Sequence, residues 1–422
     1  MNMNNIVSFL LDFAYYYPLF IACVWMIGAV YYRLHWETSK SKDYRIPPKL
    51  ESYPGVSILL PCYNEGDLAE ETVSLLYEQT YPNFEIIAVN DGSSDNTKEI
   101  LDALQNKFPE LRVAHLEKNH GKATALNMAA MIAKHEILVC IDGDAVLDPS
   151  ALHWLASHFI GTSSARVGAV TGNPRVRNRS TLLGKIQVGE FSSIIGLIKR
   201  AQRIYGRIFT ISGVVAAFRK SALHRIGYWT TDMITEDIDV SWRLQMDHWD
   251  VRYEPNALCW ILMPETFKGL WRQRLRWAQG GMEVFKRYGS KLLNWRKRRM
   301  WLVALEYIIS ICWSYTVAAI IILWALGLFI PIPEPYYIST IIPGWNGVLL
   351  GITCLMQFAV SLAIDSRYEK GLGKYYYWMI WYPIAYWLLN VITTVVGVPK
   401  ALLREEGKQA TWESPDRGLT NE

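Results

Sequence analysis

Ile137-Leu-Val-Cys-Ile141-Asp142-Gly143-Asp144 is an apolar run of five residues that ends on two acids separated by a glycine. A run this short, rich in aliphatic residues and closed by turn formers, reads as a buried strand. Residues 56–60, 84–89 and 111–116 have the same character, and helical stretches separate them, with Gly, Asn or Pro at the joints. Strands alternating with helices imply a mainly parallel α/β sheet. In such sheets ligands bind beyond the carboxyl ends of the strands. Cys62-Tyr-Asn-Glu65, Asn90-Asp91 and Asp142-Gly-Asp144 each follow a strand directly, so three strand ends are expected to converge on one site.

No G-x-G-x-x-G turn follows the first strand, and G-x-x-x-x-G-K-[ST] is absent from the chain. A dinucleotide or P-loop reading therefore lacks its phosphate cradle. A bound diphosphate would instead need a cation held by carboxylates, and Asp142 and Asp144 are the candidates. Mg²⁺ or Mn²⁺ suits such a pair, because hard cations favour oxygen ligands and leave positions open for phosphate. The plainer reading of the same acids is a tight turn after a strand.

The chain has 422 residues, 51% of them hydrophobic, and the apolar mass is uneven. Residues 7–32, 301–330, 344–364 and 375–398 are long and poor in charge, enough to cross a hydrocarbon core of ~30 Å. The first is too long for a cleaved signal and lacks a basic start, so it reads as an anchor. Arg33, Lys40, Lys42 and Arg45 follow it, and Lys286, Arg287, Lys291 and Arg296 to Arg299 precede the second. Flanking positive charge stays inside, which places residues 33–299 in the cytoplasm and the N-terminus outside. Four spans then put the C-terminus outside, although Lys400, Arg404 and Lys408 prefer the inside. Pro383 and Asn390 are candidate points for a broken or re-entrant segment. The expected division is an anchor at 1–36, a catalytic domain at 37–266, an interfacial region at 267–300, further spans at 301–400 and a tail at 401–422.

The net charge of +4 is modest and clusters beside the spans, which argues against nucleic-acid binding. The six cysteines show no paired spacing and read as reduced thiols. Residues 182–204 and 267–288 look amphipathic, with Lys199, Arg200 and Arg203 suited to a bilayer surface. Packing on the sheet as ordinary domain helices is the alternative.

Three further motifs carry chemistry. In Val89-Asn-Asp91-Gly-Ser-Ser-Asp-Asn-Thr97, Gly92 turns the chain and Ser94 or Asp95 can cap the next helix, which leaves Asp91 to accept a hydrogen bond from a base or ribose. Thr235-Glu236-Asp237 opens a helix, where acids complement the positive end, but a carboxylate aimed into a cleft can also take a proton. Gln273, Arg276 and Trp277 fall at i, i+3 and i+4 and share one helix face. An amide and a guanidinium can hold a diphosphate, and an indole can stack a sugar. Lys122 is either a cation near the nucleotide or a solvated residue at a helix start.

Taken in order, Asp91, Asp142-Gly-Asp144, Thr235-Glu-Asp237 and Gln273-Arg-Leu-Arg-Trp277 match the D, DxD, TED and QxxRW pattern, and the chain resembles the processive family-2 glycosyltransferases. Longer strings are similar to the bacterial branch of that family that builds a β-1,6-linked N-acetylglucosamine exopolysaccharide in biofilms. They include Val170-Thr-Gly-Asn-Pro-Arg175, Cys259-Trp-Ile-Leu-Met-Pro-Glu-Thr266, Arg274-Leu-Arg-Trp-Ala-Gln-Gly-Gly281 and Ser414-Pro-Asp-Arg-Gly418. The resemblance implies a GT-A catalytic domain, UDP-N-acetylglucosamine as donor, a divalent cation, a growing polysaccharide as acceptor, a small membrane partner subunit and placement in the bacterial inner membrane. In relatives, cyclic di-GMP acts where the two subunits meet.

The expected assignments follow. Asp91, Asp142, Lys122, Glu65, Gln273 and Arg276 bind the donor. Asp144, with Asp142, holds the metal. Asp237 is the base, and Trp277 and Glu236 meet the acceptor. Chitin, cellulose or hyaluronan synthesis would keep the same four motifs, a dolichyl-phosphate-type transferase would need no QxxRW helix, and a channel would leave the acidic cleft without a purpose.

Overall fold

The structure, a computed structural model, describes residues 4–37, 43–333, 336–338, 340 and 345–411. Lys40, Lys42 and the Ser414 to Gly418 string lie outside the described residues. The expected strands are present: β1 (Val56–Cys62), β2 (Phe84–Asp91), β3 (Arg112–Leu116) and β4 (Ile137–Ile141). They are followed by β5 (Val146–Leu147), β6 (Val167–Val176), β7 (Val215–Arg219) and β8 (Asp250–Ile261). All eight form one sheet in the order β3-β2-β1-β4-β7-β6-β8-β5. The β3, β2, β1 and β4 half is parallel, whereas β7 runs antiparallel to both β4 and β6.

Helices cover both faces of this sheet, which is why its central strands read as unbroken apolar runs. Ile58, Leu60, Val139 and Ile141 pack on one side with Val73, Leu76 and Leu101. Leu59, Leu138 and Cys140 point to the other side, against Leu126, Ala129 and Leu223. Register decides where the polar residues fall. Cys62 pairs with Asn90, and Leu59 is flanked by Ile87 and Cys140, so Glu65, Asp91 and Asp142 emerge along one edge of the sheet.

Among the described residues, three helices are long and apolar enough to cross a membrane, within Ser8–Glu37, Trp295–Gly327 and Trp345–Asp365. Their outward faces carry exposed apolar groups such as Phe20, Ile27 and Ile322, as lipid contact requires. A buried charge network fastens two of them to the catalytic domain. The Arg200 guanidinium donates to Glu37 at 2.6 Å and to Asp365 at 3.1 Å, and Arg175 donates to the other Asp365 oxygen at 2.6 Å. Arg200 and Asp365 are fully buried. Close backbone approach adds to this grip, because a Cβ at Gly28 would lie 2.9 Å from Ala201.

Two expectations require correction. Lys199 and Arg200 do not face a bilayer surface: Arg200 is enclosed by acids distant in sequence, and Lys199 is buried with its ammonium 3.2 Å from Thr171 Oγ1. The fourth apolar stretch is also not a single spanning helix. It forms a tight helix over Leu372–Trp381, a wide turn over Tyr382–Tyr386 that opens with Pro383, and a helix over Trp387–Leu403. Both its ends attach to the catalytic domain. Arg179 bonds Glu369 at the start, Lys185 lies 4.9 Å over the Trp378 ring, and Arg404 bonds Glu283 at 2.8 Å at the end. Between them Trp387 meets Trp313, twelve residues into the Trp301–Gly327 helix. The stretch is thus broken at Tyr382–Tyr386, at the candidate point Pro383, and both its ends contact residues of the catalytic region.

Candidate active site

Lys122 is the hub. Gly121, with φ of 87°, ends a turn, and the helix Lys122–Ile132 begins there and points its first side chain along the strand edge. The ammonium lies 2.5 Å from Asp142, 3.4 Å from Glu236 and 3.1 Å from the Gly213 carbonyl. One half-buried cation thus joins the Asp142-Gly-Asp144 turn to the Thr235-Glu-Asp237 helix. Burial by itself would depress its pKa, but the Asp142 and Glu236 carboxylates outweigh that and raise it, so it stays charged. The reading of Lys122 as a solvated residue at a helix start is excluded by these contacts.

The two acidic motifs differ in environment. Burial pushes Asp142 up, Lys122 pulls it down, and neighbouring Asp144 pushes it up again, for a net rise. Asp237 is raised to about 6, first by burial and then by Glu236, with Lys122 and Arg276 opposing. A carboxylate poised there takes a proton near neutral pH more readily than an ordinary aspartate. Gly213 lets it sit close, since a Cβ at that position would be 3.3 Å from Asp237 Oδ2. Gly143 serves Glu65 in the same way: a Cβ there would lie 2.9 Å from Glu65 Cγ and 3.3 Å from Cys62 Sγ. Glu65 is buried against the Asp142-Gly-Asp144 turn.

Asp91 is hydrogen-bonded to the turn before Lys122. It is fully buried, and its two oxygens accept the His120 and Gly121 backbone N–H groups at 2.9 and 2.8 Å. Asp91 thereby shapes the turn that presents Lys122. The C-terminal tail closes over this corner. Gln409 Nε2 donates to the His120 carbonyl at 2.8 Å, and a Cβ at Gly121 would overlap the Ala410 carbonyl. Nothing in the composition of the tail signalled that contact.

The QxxRW helix spans Phe267–Tyr288, with the Thr266 hydroxyl capping it by accepting from Gly269 N at 3.1 Å. It lies against the acidic motif because Gly280 has no side chain: a Cβ there would overlap Thr235. On its other side Ala278 meets Gly397 of the returning C-terminal helix. Arg276 is exposed, near enough to Asp237 to lower its pKa, and has no ion-pair partner among the described residues. The Gln273 carbonyl oxygen is buried without a hydrogen-bond partner. Trp277 is half-buried, with the Arg274 guanidinium 4.3 Å from its ring centre.

Arg274 is a residue the motif reading passed over. It is buried in an ion pair with Glu190, and its Nε and Nη1 lack partners. Spacing had hinted at it, since 274 and 277 are also one turn apart. Lys199 is the second omission. Its ammonium bonds Thr171 Oγ1, which also accepts from Ser212 N at 2.8 Å, next to Gly213 and Asp237. Burial pushes it down to about 7.

The sheet edge, the acidic helix and the Gln-Arg-Trp helix thus form one cleft, and residues 54–280, which contain its four motifs, match the family described as glycosyltransferase like family 2. The chain belongs to glycosyltransferase family 2. Within that family it is 42% identical over 407 residues to poly-beta-1,6-N-acetyl-D-glucosamine synthase of Staphylococcus epidermidis, covering 96% of this chain and 98% of that protein. The protein of the same name from Staphylococcus aureus strain MSSA476 is 41% identical over 409 residues, 97% of this chain and 98% of that one. Among solved structures the fold is similar to the mannosyltransferase PcManGT from Pyrobaculum calidifontis in complex with GDP-Man and Mn²⁺. That match has a TM-score of 0.58 at 20% identity and covers 96% of this chain and 100% of that one. As a family-2 glycosyltransferase with a GT-A-like sheet, the chain is an enzyme of sugar transfer carried on apolar helices.

Proposed function

We propose that this family-2 glycosyltransferase polymerises N-acetylglucosamine from UDP-N-acetylglucosamine into a β-1,6-linked exopolysaccharide. The observation that carries the reading is Lys122, which ties Asp142 to Glu236 and so draws donor-side and acceptor-side acids into one cleft. Near-complete coverage by relatives of that name supplies the sugar and the linkage.

Asp237 acts as the base. It accepts the proton of the acceptor 6-hydroxyl while that oxygen bonds the anomeric carbon; the bond to the UDP oxygen breaks, and an α donor becomes a β product. Arg276 and Gln273 stabilise the departing diphosphate, one with an unpaired guanidinium and the other with an amide at the cleft wall. Trp277, held by the Arg274 stack, supports the terminal sugar of the acceptor, and Glu236 bonds its hydroxyls. Asp91 supports the uridine corner through the turn at His120 and Gly121.

Asp144 and Asp142 would hold Mg²⁺ or Mn²⁺. No group of three metal-binding side chains occurs among the described residues, and Asp142 already shares Lys122, so the protein offers two carboxylates and leaves further positions to phosphate and water. That donor set fits Mg²⁺, which is commonly bound by one or two carboxylates plus substrate phosphates. The cation supplies charge neutralisation at the leaving diphosphate.

The catalytic domain and the tail face the cytoplasm of a bacterial inner membrane, with three spans and a re-entrant fourth segment. A small partner subunit joins the helices, and its interface is the place for any cyclic di-GMP effect.

The test is UDP release from membranes containing the chain and its partner, supplied with each UDP-sugar in turn. Release from UDP-N-acetylglucosamine that stops with chelator and returns with Mg²⁺ or Mn²⁺ supports the reading. Release from UDP-glucose alone, or sustained release only when UDP-glucuronate and UDP-N-acetylglucosamine are supplied together, would point to a cellulose or hyaluronan type of product instead.

A further inference from the structure

A second cluster of charge lies outside the catalytic cleft. Arg166, just before β6, His248, just before β8, and Arg296, Arg298 and Arg299, just before the Trp301–Gly327 helix, line a cleft of about 270 Å³. None of these four guanidiniums has an ion-pair partner among the described residues. Arg298 stacks 5.2 Å over the Trp295 ring, and Arg166 donates to the His248 carbonyl at 2.9 Å. His248 adopts φ of 68°, a left-handed conformation that costs a residue with a side chain free energy and tends to persist where structure or function requires it. Beside the cleft, Arg207 is 5% exposed, and its Nε is without a partner. Burial and the neighbouring Arg299, Arg203 and Arg166 push Arg207 down to about 10, with Asp250 the acid that opposes them. Asp250 is itself engaged by Arg203 and Arg252.

Such a concentration of unpaired guanidiniums favours a multiply coordinated phosphate. Position decides its source. The cleft adjoins the first turn of a spanning helix, and Leu293 and Trp295, 85% and 66% exposed, flank it as apolar groups at headgroup depth would. We propose that this arginine cleft binds the phosphate headgroup of an anionic phospholipid at the cytoplasmic face of the membrane.

The experiment is native mass spectrometry of the full chain extracted from vesicles of phosphatidylcholine with one-fifth phosphatidylglycerol. The wild type should retain a phosphatidylglycerol adduct. Arg298→Gln with Arg299→Gln on the helix side, and separately Arg166→Gln on the catalytic side, should each weaken it by about fivefold per guanidinium removed. Equal melting temperatures would exclude misfolding as the cause. Equal retention by all variants would overturn the proposal. So would displacement of the lipid by millimolar inorganic phosphate or UDP, which would make the site one for soluble phosphate.

Discussion

At the residue scale, the site depends on how a few carboxylates are charged. Asp237, raised to about 6, must be ionised to accept a proton, so polymerisation should fall as pH drops below about 6 and level off above it. Lys122 is one of the charges that hold that value down, and Lys122→Met should therefore move the acidic limb of the rate profile upward. The same change leaves Asp142 without its partner. Losing the partner of this half-buried pair should show as a lower melting temperature. Asp237→Asn should keep UDP affinity in calorimetry while losing about 10²- to 10⁴-fold in rate, the usual worth of a positioned base. The motifs named these acids because acids at strand ends are surplus to folding. They could not reveal Lys122 as the hub, since a lysine at a helix start reads the same whether solvated or enclosed.

At the element scale, the decisive contact is between the QxxRW helix and Thr235. Gly280→Ala should push that helix off the acidic motif, lowering the rate of transfer well beyond any loss of helix stability, which alanine would otherwise improve. The helix itself was legible from sequence as an amphipathic stretch over residues 267–288 whose Gln273, Arg276 and Trp277 share one face, whereas its Thr266 cap shows only in the structure. The four parallel strands were legible for a similar reason, as short apolar runs closed by turn residues. Residues 199 and 200 misled because their partners are remote. Glu37 and Asp365 lie more than 160 positions from Arg200, and a local pattern of two basic residues beside apolar ones looks the same on a bilayer and in a buried network. Residues 375–398 misled because hydropathy averages over the wide turn at Tyr382–Tyr386 that interrupts the helix.

At the scale of the whole molecule, the charge network joins anchor, catalytic domain and third spanning helix into one body. Arg200→Leu should leave Glu37 and Asp365 buried without their shared cation and lower the melting temperature of the purified protein sharply, while conservative changes at exposed arginines should not. The proposed re-entrant fourth segment makes a topological prediction. A cysteine placed at Lys408 should react with a membrane-impermeant maleimide in inside-out vesicles, together with the catalytic domain, and stay unlabelled in intact cells. Labelling from outside would mean that the segment crosses.

The central claim is that one cleft, with Asp237 as its base, builds a β-1,6-linked polymer of N-acetylglucosamine. Its most direct test is digestion of the product made from UDP-N-acetylglucosamine and a divalent cation, by wild type and by Asp237→Asn, with hydrolases specific for each linkage. The account predicts wild-type polymer cut by a β-1,6-N-acetylglucosaminidase and resistant to chitinase, with almost none from the variant. A product cut by chitinase, or normal yield from Asp237→Asn, would contradict it.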